Sequence, residues 1–245
     1  MNKKLIYFTA VIALCIGFAS CINITNVANI TKRGNGELIT SEREVSAFER
    51  IQINNNANVR FHQSEEFRIT VTIDENLDEY VEVATRGNTL HIDTRRNVHL
   101  LSFTQFIVDV YAPTLSGVTV AGTGSFENTE TLIVPNFETT ISGSGRVTSV
   151  VESDSFTATI SGSGRIMAFG SSENAVIRIS GSGRFLGEEF TTNNTTARIS
   201  GSGNVELYVI DNLNATISGS GSIRYQGNPR VESRVSGSGR IRRVD

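Results

Sequence analysis

From residue 117 onward, apolar and polar positions alternate over short stretches, and the stretches recur. The unit is a β-branched aliphatic followed by Ser-Gly-Ser-Gly, at Ile141–Gly145, Ile160–Gly164, Ile179–Gly183, Ile199–Gly203, Ile217–Gly221 and Val235–Gly239. A degenerate copy, Val120-Ala121-Gly122-Thr123-Gly124, precedes them, and the leading aliphatics are spaced 21, 19, 19, 20, 18 and 18 residues apart. Two places before each aliphatic stand Val118, Thr139, Ala158, Ile177, Ala197, Ala215 and Ser233. The position between them is always polar: Thr119, Thr140, Thr159, Arg178, Arg198, Thr216, Arg234. Such period-two alternation predicts a strand with one buried face and one wet face. A second apolar column follows each motif, at Phe126, Val147, Ile166, Phe185, Val205, Ile223 and Ile241. Each repeat therefore predicts a strand, a tight glycine turn, a second strand and a more variable return.

A period near 19 signals a solenoid in which each winding covers the apolar face of its neighbour. Stacked in register, the windings would lie about 4.8 Å apart and their aliphatics would form ladders inside. Burial of each Val, Ile or Phe is worth roughly 1.5–3 kcal/mol before chain entropy is counted. The expected fold is all-β, a parallel β-helix. Identical turns at one end argue against an antiparallel meander, whose repeats would have to alternate in direction. The glycines are expected to supply backbone angles with φ > 0, and the serines to sit in exposed turns.

The stretch before the repeats also reads as strands, at Phe48–Ile53, Val59–His62, Phe67–Ile73, Tyr80–Ala84, Leu90–Asp93 and Phe106–Tyr111, with one helical turn at Asn76–Glu79. Its expected role is to form the first coils or a β cap that closes one edge of the solenoid. At the other end Arg240, Arg242 and Arg243 put charge on the last strand, which discourages edge-to-edge pairing.

The combination of Val45-Ser46-Ala47-Phe48-Glu49-Arg50-Ile51, Asn76-Leu77, Asn88-Thr89-Leu90-His91-Ile92, Ala112-Pro113-Thr114-Leu115 and the Ser-Gly-Ser-Gly repeats resembles the putative auto-transporter adhesin family with the head GIN domain. The resemblance covers residues 45–240. It implies a right-handed parallel β-helix in a Bacteroidetes-type envelope lipoprotein, a role in adhesion, and no catalytic residues to carry over.

The amino terminus changes the picture of where the protein works. Lys3 and Lys4 precede an apolar run from Leu5 to Gly17, the pattern of an export signal, and the run falls short of the roughly 20 residues a membrane span needs. Phe18-Ala19-Ser20-Cys21 resembles the lipobox of bacterial lipoproteins, which implies a lipid anchor on Cys21. Gly17-Phe18-Ala19 also satisfies ordinary signal cleavage. Cys15 would be discarded with the signal, so Cys21 would be the single thiol of an exported protein, a liability that acylation removes. The expected organisation is a signal over 1–20, a tether over 21–40, an N-terminal β region over 41–116 and the repeat solenoid over 117–245. Losing Lys3 and Lys4 leaves 20 basic against 25 acidic residues, which does not suggest a nucleic-acid partner.

No catalytic centre is expected. β-Helical lyases converge acids on Ca²⁺, but Glu138, Glu152, Asp154, Glu173, Glu188, Glu189, Glu206, Asp211 and Glu232 fall in different columns. His62, His91 and His99 precede the repeats at irregular spacing, which suits neither an acyltransferase nor a metal site. The serines lack the strand-to-helix setting of a nucleophile. No Asp follows the glycines as a Ca²⁺-binding nonapeptide repeat requires, and Arg178, Arg198 and Arg234 interrupt the Thr column an ice-binding face would need. One feature points to binding: Arg146, Arg165 and Arg184 follow three consecutive motifs, and Arg240 follows the last. As a ladder they are either a solvated face or a contact for sulfated or carboxylated glycans, which guanidinium pairs well.

These observations lead to a lipid-anchored, non-catalytic cell-envelope protein, held in the outer membrane on its periplasmic or outer side. It would present a β-helical surface for adhesion or assembly, need no cofactor, and meet a glycan or protein at the cell surface. A carbohydrate-active enzyme working in the solenoid groove, or a structural or regulatory periplasmic partner, are the alternative classes; glycan turnover and protease shaving of whole cells separate them.

Overall fold

A computed structural model describes residues 30–244. The signal, Cys21 and the first part of the tether lie outside the described residues. The N-terminal region forms β1 (Ile30–Arg33), β2 (Leu38–Arg43), β3 (Arg50–Ile53), β4 (Asn58–Gln63), β5 (Arg68–Asp74), α1 (Glu75–Asp78), β6 (Val81–Arg86), β7 (Thr89–Thr94), β8 (Val98–Ser102) and β9 (Phe106–Ala112). The repeats form β10 (Gly117–Val120), β11 (Ser125–Asn128), β12 (Leu132–Gly143), β13 (Arg146–Gly162), β14 (Arg165–Gly181), β15 (Arg184–Gly201), β16 (Asn204–Gly219), β17 (Ser222–Gln226), β18 (Arg230–Ser236) and β19 (Arg240–Arg243).

The repeats stack as a parallel β-solenoid, one coil per repeat. Ile141 pairs with Ile160, Ile160 with Ile179, Ile179 with Ile199 and Ile199 with Ile217. All five are buried, as are Val147, Ile166, Phe185, Val205 and Ile223 of the second column. A third inner column begins with Phe137 over Phe156, rings 6.2 Å apart and nearly parallel, and Phe190 fills the space beside Phe156 at 4.6 Å. Repeats of unequal length keep their register because the extra residues of β15 bulge on the return side, between Leu186 and Phe190 against β14 and between Gly187 and Thr191 against β16. At the last coil the cover ends, and Val231 and Val235 are 36% and 42% exposed.

The two glycines of each motif answer different constraints, where the sequence suggested one. Gly162 has φ 124°, and a Cβ there would sit 2.5 Å from the Gly143 carbonyl oxygen of the coil before. Gly164 needs no such angle; a Cβ there would lie 2.5 Å from Cγ2 of Ile141. The first glycine makes the bend, and the second makes room in the core for the preceding coil's isoleucine. Backbone hydrogen bonds continue through the corner, with Ser163 N–H donating to Gly143 at 2.9 Å and Ser182 N–H to Gly162 at 2.9 Å.

The N-terminal region supplies both opening coils and cap, and it is threaded out of chain order. β3 lies between β7 and β10, parallel to both. Likewise β4 lies between β9 and β11. Residues 50–63 thus make the second coil and residues 89–112 the first. Beyond that first coil the strands turn antiparallel: β6 covers β7, β5 covers β9, and β2 covers β5. The tether expected over 21–40 gives way to folded chain from Ile30, since β1 pairs with β8 and β2 with β5. Asp74 explains why this polar segment is held. Its buried carboxylate accepts hydrogen bonds from the backbone N–H of Gly36 and of Thr104, both at 2.7 Å, and from the Thr104 hydroxyl at 2.9 Å.

Candidate functional site

The corner of the solenoid brings the predicted arginines together. Arg146 pairs with Arg165 and Arg165 with Arg184 in direct register, so three guanidinium side chains leave one edge from successive coils. Ser144, Ser163 and Ser182 stand beside them and complete an open groove of about 280 Å³. Arg146 and Arg184 are exposed; Arg165 is half-buried between them, and its Nε has no hydrogen-bond partner among the described residues. None of the three forms an ion pair with a described carboxylate: on neighbouring coils Glu206 is taken by Arg224 and Glu127 by Arg60. Arg240 belongs to the same column but lies beyond Asn204 and Ser222, outside the ladder.

A second pair of cations flanks the serine corner. The polar column before the motif runs Thr140, Thr159, Arg178, Arg198, Thr216 and Arg234 in continuous register, with Arg178 and Arg198 exposed and adjacent. These too have no described acidic partner. Glu152, Asp154, Glu173, Glu188, Glu189 and Asp211 are exposed on the return stretches, midway between serine corners. These six acids stand away from the arginine columns, whereas Glu138, Glu206 and Glu232 lie on the strands flanking the corners, the first two paired with Arg50 and Arg224. Like charges set about 4.8 Å apart repel by roughly 1 kcal/mol per pair in water. A bound anion would relieve that repulsion, and the planar donors of Arg suit two-oxygen groups such as sulfate or carboxylate.

The other residues considered for chemistry do not converge. His62 contacts Asp109 at 3.2 Å and stacks on Tyr111; His91 lies on β7 and His99 on β8. Among the described residues no group of three His, Cys, Asp or Glu is placed to hold a metal ion. The structure adds one ladder the sequence reading missed. Asn194 donates to Asn174 at 3.3 Å and Asn212 to Asn194 at 2.8 Å, coil to coil. Its signal was present, because an Asn precedes the motif isoleucine by five positions at Asn136, Asn174, Asn194 and Asn212.

Known proteins resemble this arrangement. A family profile described as putative auto-transporter adhesin, head GIN domain, matches residues 47–229. A crystal structure of a putative lipid binding protein from Parabacteroides distasonis is 26% identical with a TM-score of 0.76, covering 88% of this chain and 100% of its own. A putative adhesin from Parabacteroides merdae is 25% identical, with a TM-score of 0.71 over the same shares. A putative adhesin from Bacteroides fragilis, 21% identical, shares the fold with a TM-score of 0.80 over 87% of this chain and 100% of that one. No curated protein matches the chain.

Proposed function

The chain belongs to the putative auto-transporter adhesin, head GIN domain family, and from that premise we propose that it is a lipid-anchored, non-catalytic envelope protein whose glycine-corner edge binds anionic glycans. The observation that carries the reading is the in-register ladder of Arg146, Arg165 and Arg184, which has no acidic partner among the described residues. Its groove is open and polar, and a row of serine hydroxyls accompanies the cations. A chain of sulfate or carboxylate groups at comparable spacing would neutralise the ladder and accept hydrogen bonds from it. An exposed, unpaired edge of this kind suits contact at a cell surface. Because the cations face solvent, affinity should fall as salt rises.

The anchor in this reading is an acyl chain on Cys21, which would hold the solenoid at the outer membrane on its periplasmic or outer side. Incorporation of labelled palmitate into the wild-type chain, lost in Cys21→Ala, tests the anchor; protease shaving of intact cells tests the side. A glycan array tests the ligand. The wild-type protein should retain sulfated or uronate-rich glycans, and Arg146→Gln/Arg165→Gln/Arg184→Gln should lose them. Equal retention by both proteins would refute the ladder as the contact.

A further inference from the structure

The arginine ladder occupies only part of its edge. Strand pairing carries the column beyond Arg146 to Ser125, then Asn58, then Ile107. In those three coils the corner is not Ser-Gly-Ser-Gly. It is built from Ala121–Gly124, from Asn54–Ala57, and in the first coil from the longer connection between β7 and β9, which contains β8. These segments enclose an open trough of about 440 Å³, lined by Asn54, Asn56, Asp93, Arg96, His99 and Thr123 among others.

Some of those groups are already spent. The Asn54 carboxamide donates to Asp93, and the Asn55 side chain accepts from Ala57 N–H to make the turn. Asn56, Arg96, His99 and Thr123 have no side-chain hydrogen bond or ion pair among the described residues. The wall that carries Arg96 and His99 is braced by β1, where Thr31 pairs with His99, and it bends at Asn97, the one described non-glycine residue with positive φ, at 66°. The backbone that carries Arg96 and His99 is therefore held before any ligand arrives, which lowers part of the ordering cost of binding.

We infer that the trough is a second subsite of the same edge, and that its ligand is an extended anionic polysaccharide and not a small anion. Asn56 and Thr123 would hold sugar hydroxyls, Arg96 and His99 an acidic group, and the chain would continue over the ladder. From the first coil to Arg184 is five coil steps, roughly 24 Å at the usual strand spacing. A free phosphate or sulfate would engage one rung of this surface and gain nothing from its length. The inference rests on the ladder reading, and the following experiment separates the two.

Binding of heparin-derived di-, tetra- and octasaccharides is measured by calorimetry on the soluble chain from residue 22 onward. Three proteins are compared: wild type, Arg146→Gln/Arg165→Gln/Arg184→Gln, and Asn56→Ala/Arg96→Gln/His99→Gln. Far-UV circular dichroism confirms that each is folded. Wild-type affinity should climb with length. The trough variant should bind the octasaccharide about tenfold more weakly while keeping its tetrasaccharide affinity. The ladder variant should lose all three ligands. Wild-type octasaccharide affinity in the trough variant, or no gain from tetra- to octasaccharide in the wild type, would overturn the trough. A wild-type protein that binds none of the three would overturn the ladder reading and the trough with it.

Discussion

The repeats and the N-terminal region reach the same stacked architecture by opposite means. In the repeats, each coil meets a near-copy of itself about 19 residues away, so Ile faces Ile and Gly faces Gly through five consecutive coils. In the opening coils, unlike sequences pair. Arg50-Ile51-Gln52-Ile53 meets Gly117-Val118-Thr119-Val120 on one side and Thr89-Leu90-His91-Ile92 on the other. Register in the repeats comes from repetition. Register in the opening coils comes from inward alternation, with Asp74 of the cap holding Thr104 of the first coil. The two regions should therefore fail in different ways when single side chains are changed.

The largest effect is expected at the repeat corner. Gly162→Ala adds a methyl at positive φ against a backbone oxygen that cannot move without displacing the neighbouring coil, and should cost about 4 kcal/mol in urea unfolding. Gly164→Ala should cost about half as much, because it needs no positive φ, although its Cβ would meet Cγ2 of Ile141 at 2.5 Å and the Gly145 carbonyl oxygen at 2.9 Å. The opening coil turns the same corner with Asn55 and no glycine, so Asn55→Ala should cost only about 1 kcal/mol. Equal losses at all three positions would erase the distinction.

Next in size is the inner ladder. Ile179→Ala removes a side chain covered by Ile160 and Ile199, and about 3 kcal/mol should be lost. Val235→Ala, at the uncovered last coil, should cost well under 1 kcal/mol, since the wild-type side chain is already 42% exposed. Thermal melts of the pair check that neighbouring coils supply the cover.

The cap depends on one carboxylate. Burial disfavours the charge on Asp74, but hydrogen bonds from Thr104 and Gly36 outweigh it and hold the carboxyl below its ordinary value of 3.8. A depressed folded value means that this stabilisation is present above the unfolded value and is lost as pH falls through the folded one. Asp74→Asn should cost about 2 kcal/mol near neutrality and should flatten the acid limb of the stability profile below pH ~4. Hydrogen exchange should localise the loss to residues around Gly36 and Thr104. An unchanged acid limb would show that other carboxylates set it.

The same contrast explains what could be read in advance. Stacked copies of the motif expose their columns directly, so the inner isoleucines and the Arg146, Arg165 and Arg184 ladder were legible from spacing alone. The interleaving of β3 between β7 and β10 was not, because pairing of unlike strands leaves no repeated column to align. β1 and β2 were hidden for a related reason: Ile30–Arg33 and Leu38–Arg43 are polar, and their order comes from Asp74 and from strand partners far along the chain. The trough was equally illegible, since it gathers residues 54–56, 93–100 and 122–123 from three separate stretches. The second glycine of each motif shows a finer limit. Composition marks the position as small, but only the neighbouring coil shows that the reason is space and not backbone angle.

The interleaved stacking is tested most directly by cross-linking in a Cys21→Ser background. Gln52 pairs with Thr119 on one side and with His91 on the other, which sets His91 and Thr119 two strands apart, roughly 10 Å. Disulfides need α-carbons within about 7 Å. Gln52→Cys/Thr119→Cys should therefore oxidise readily to an intramolecular disulfide, and His91→Cys/Thr119→Cys should not. The reverse result, with the second pair closing and the first staying reduced, would mean that the coils stack in chain order and would contradict the account.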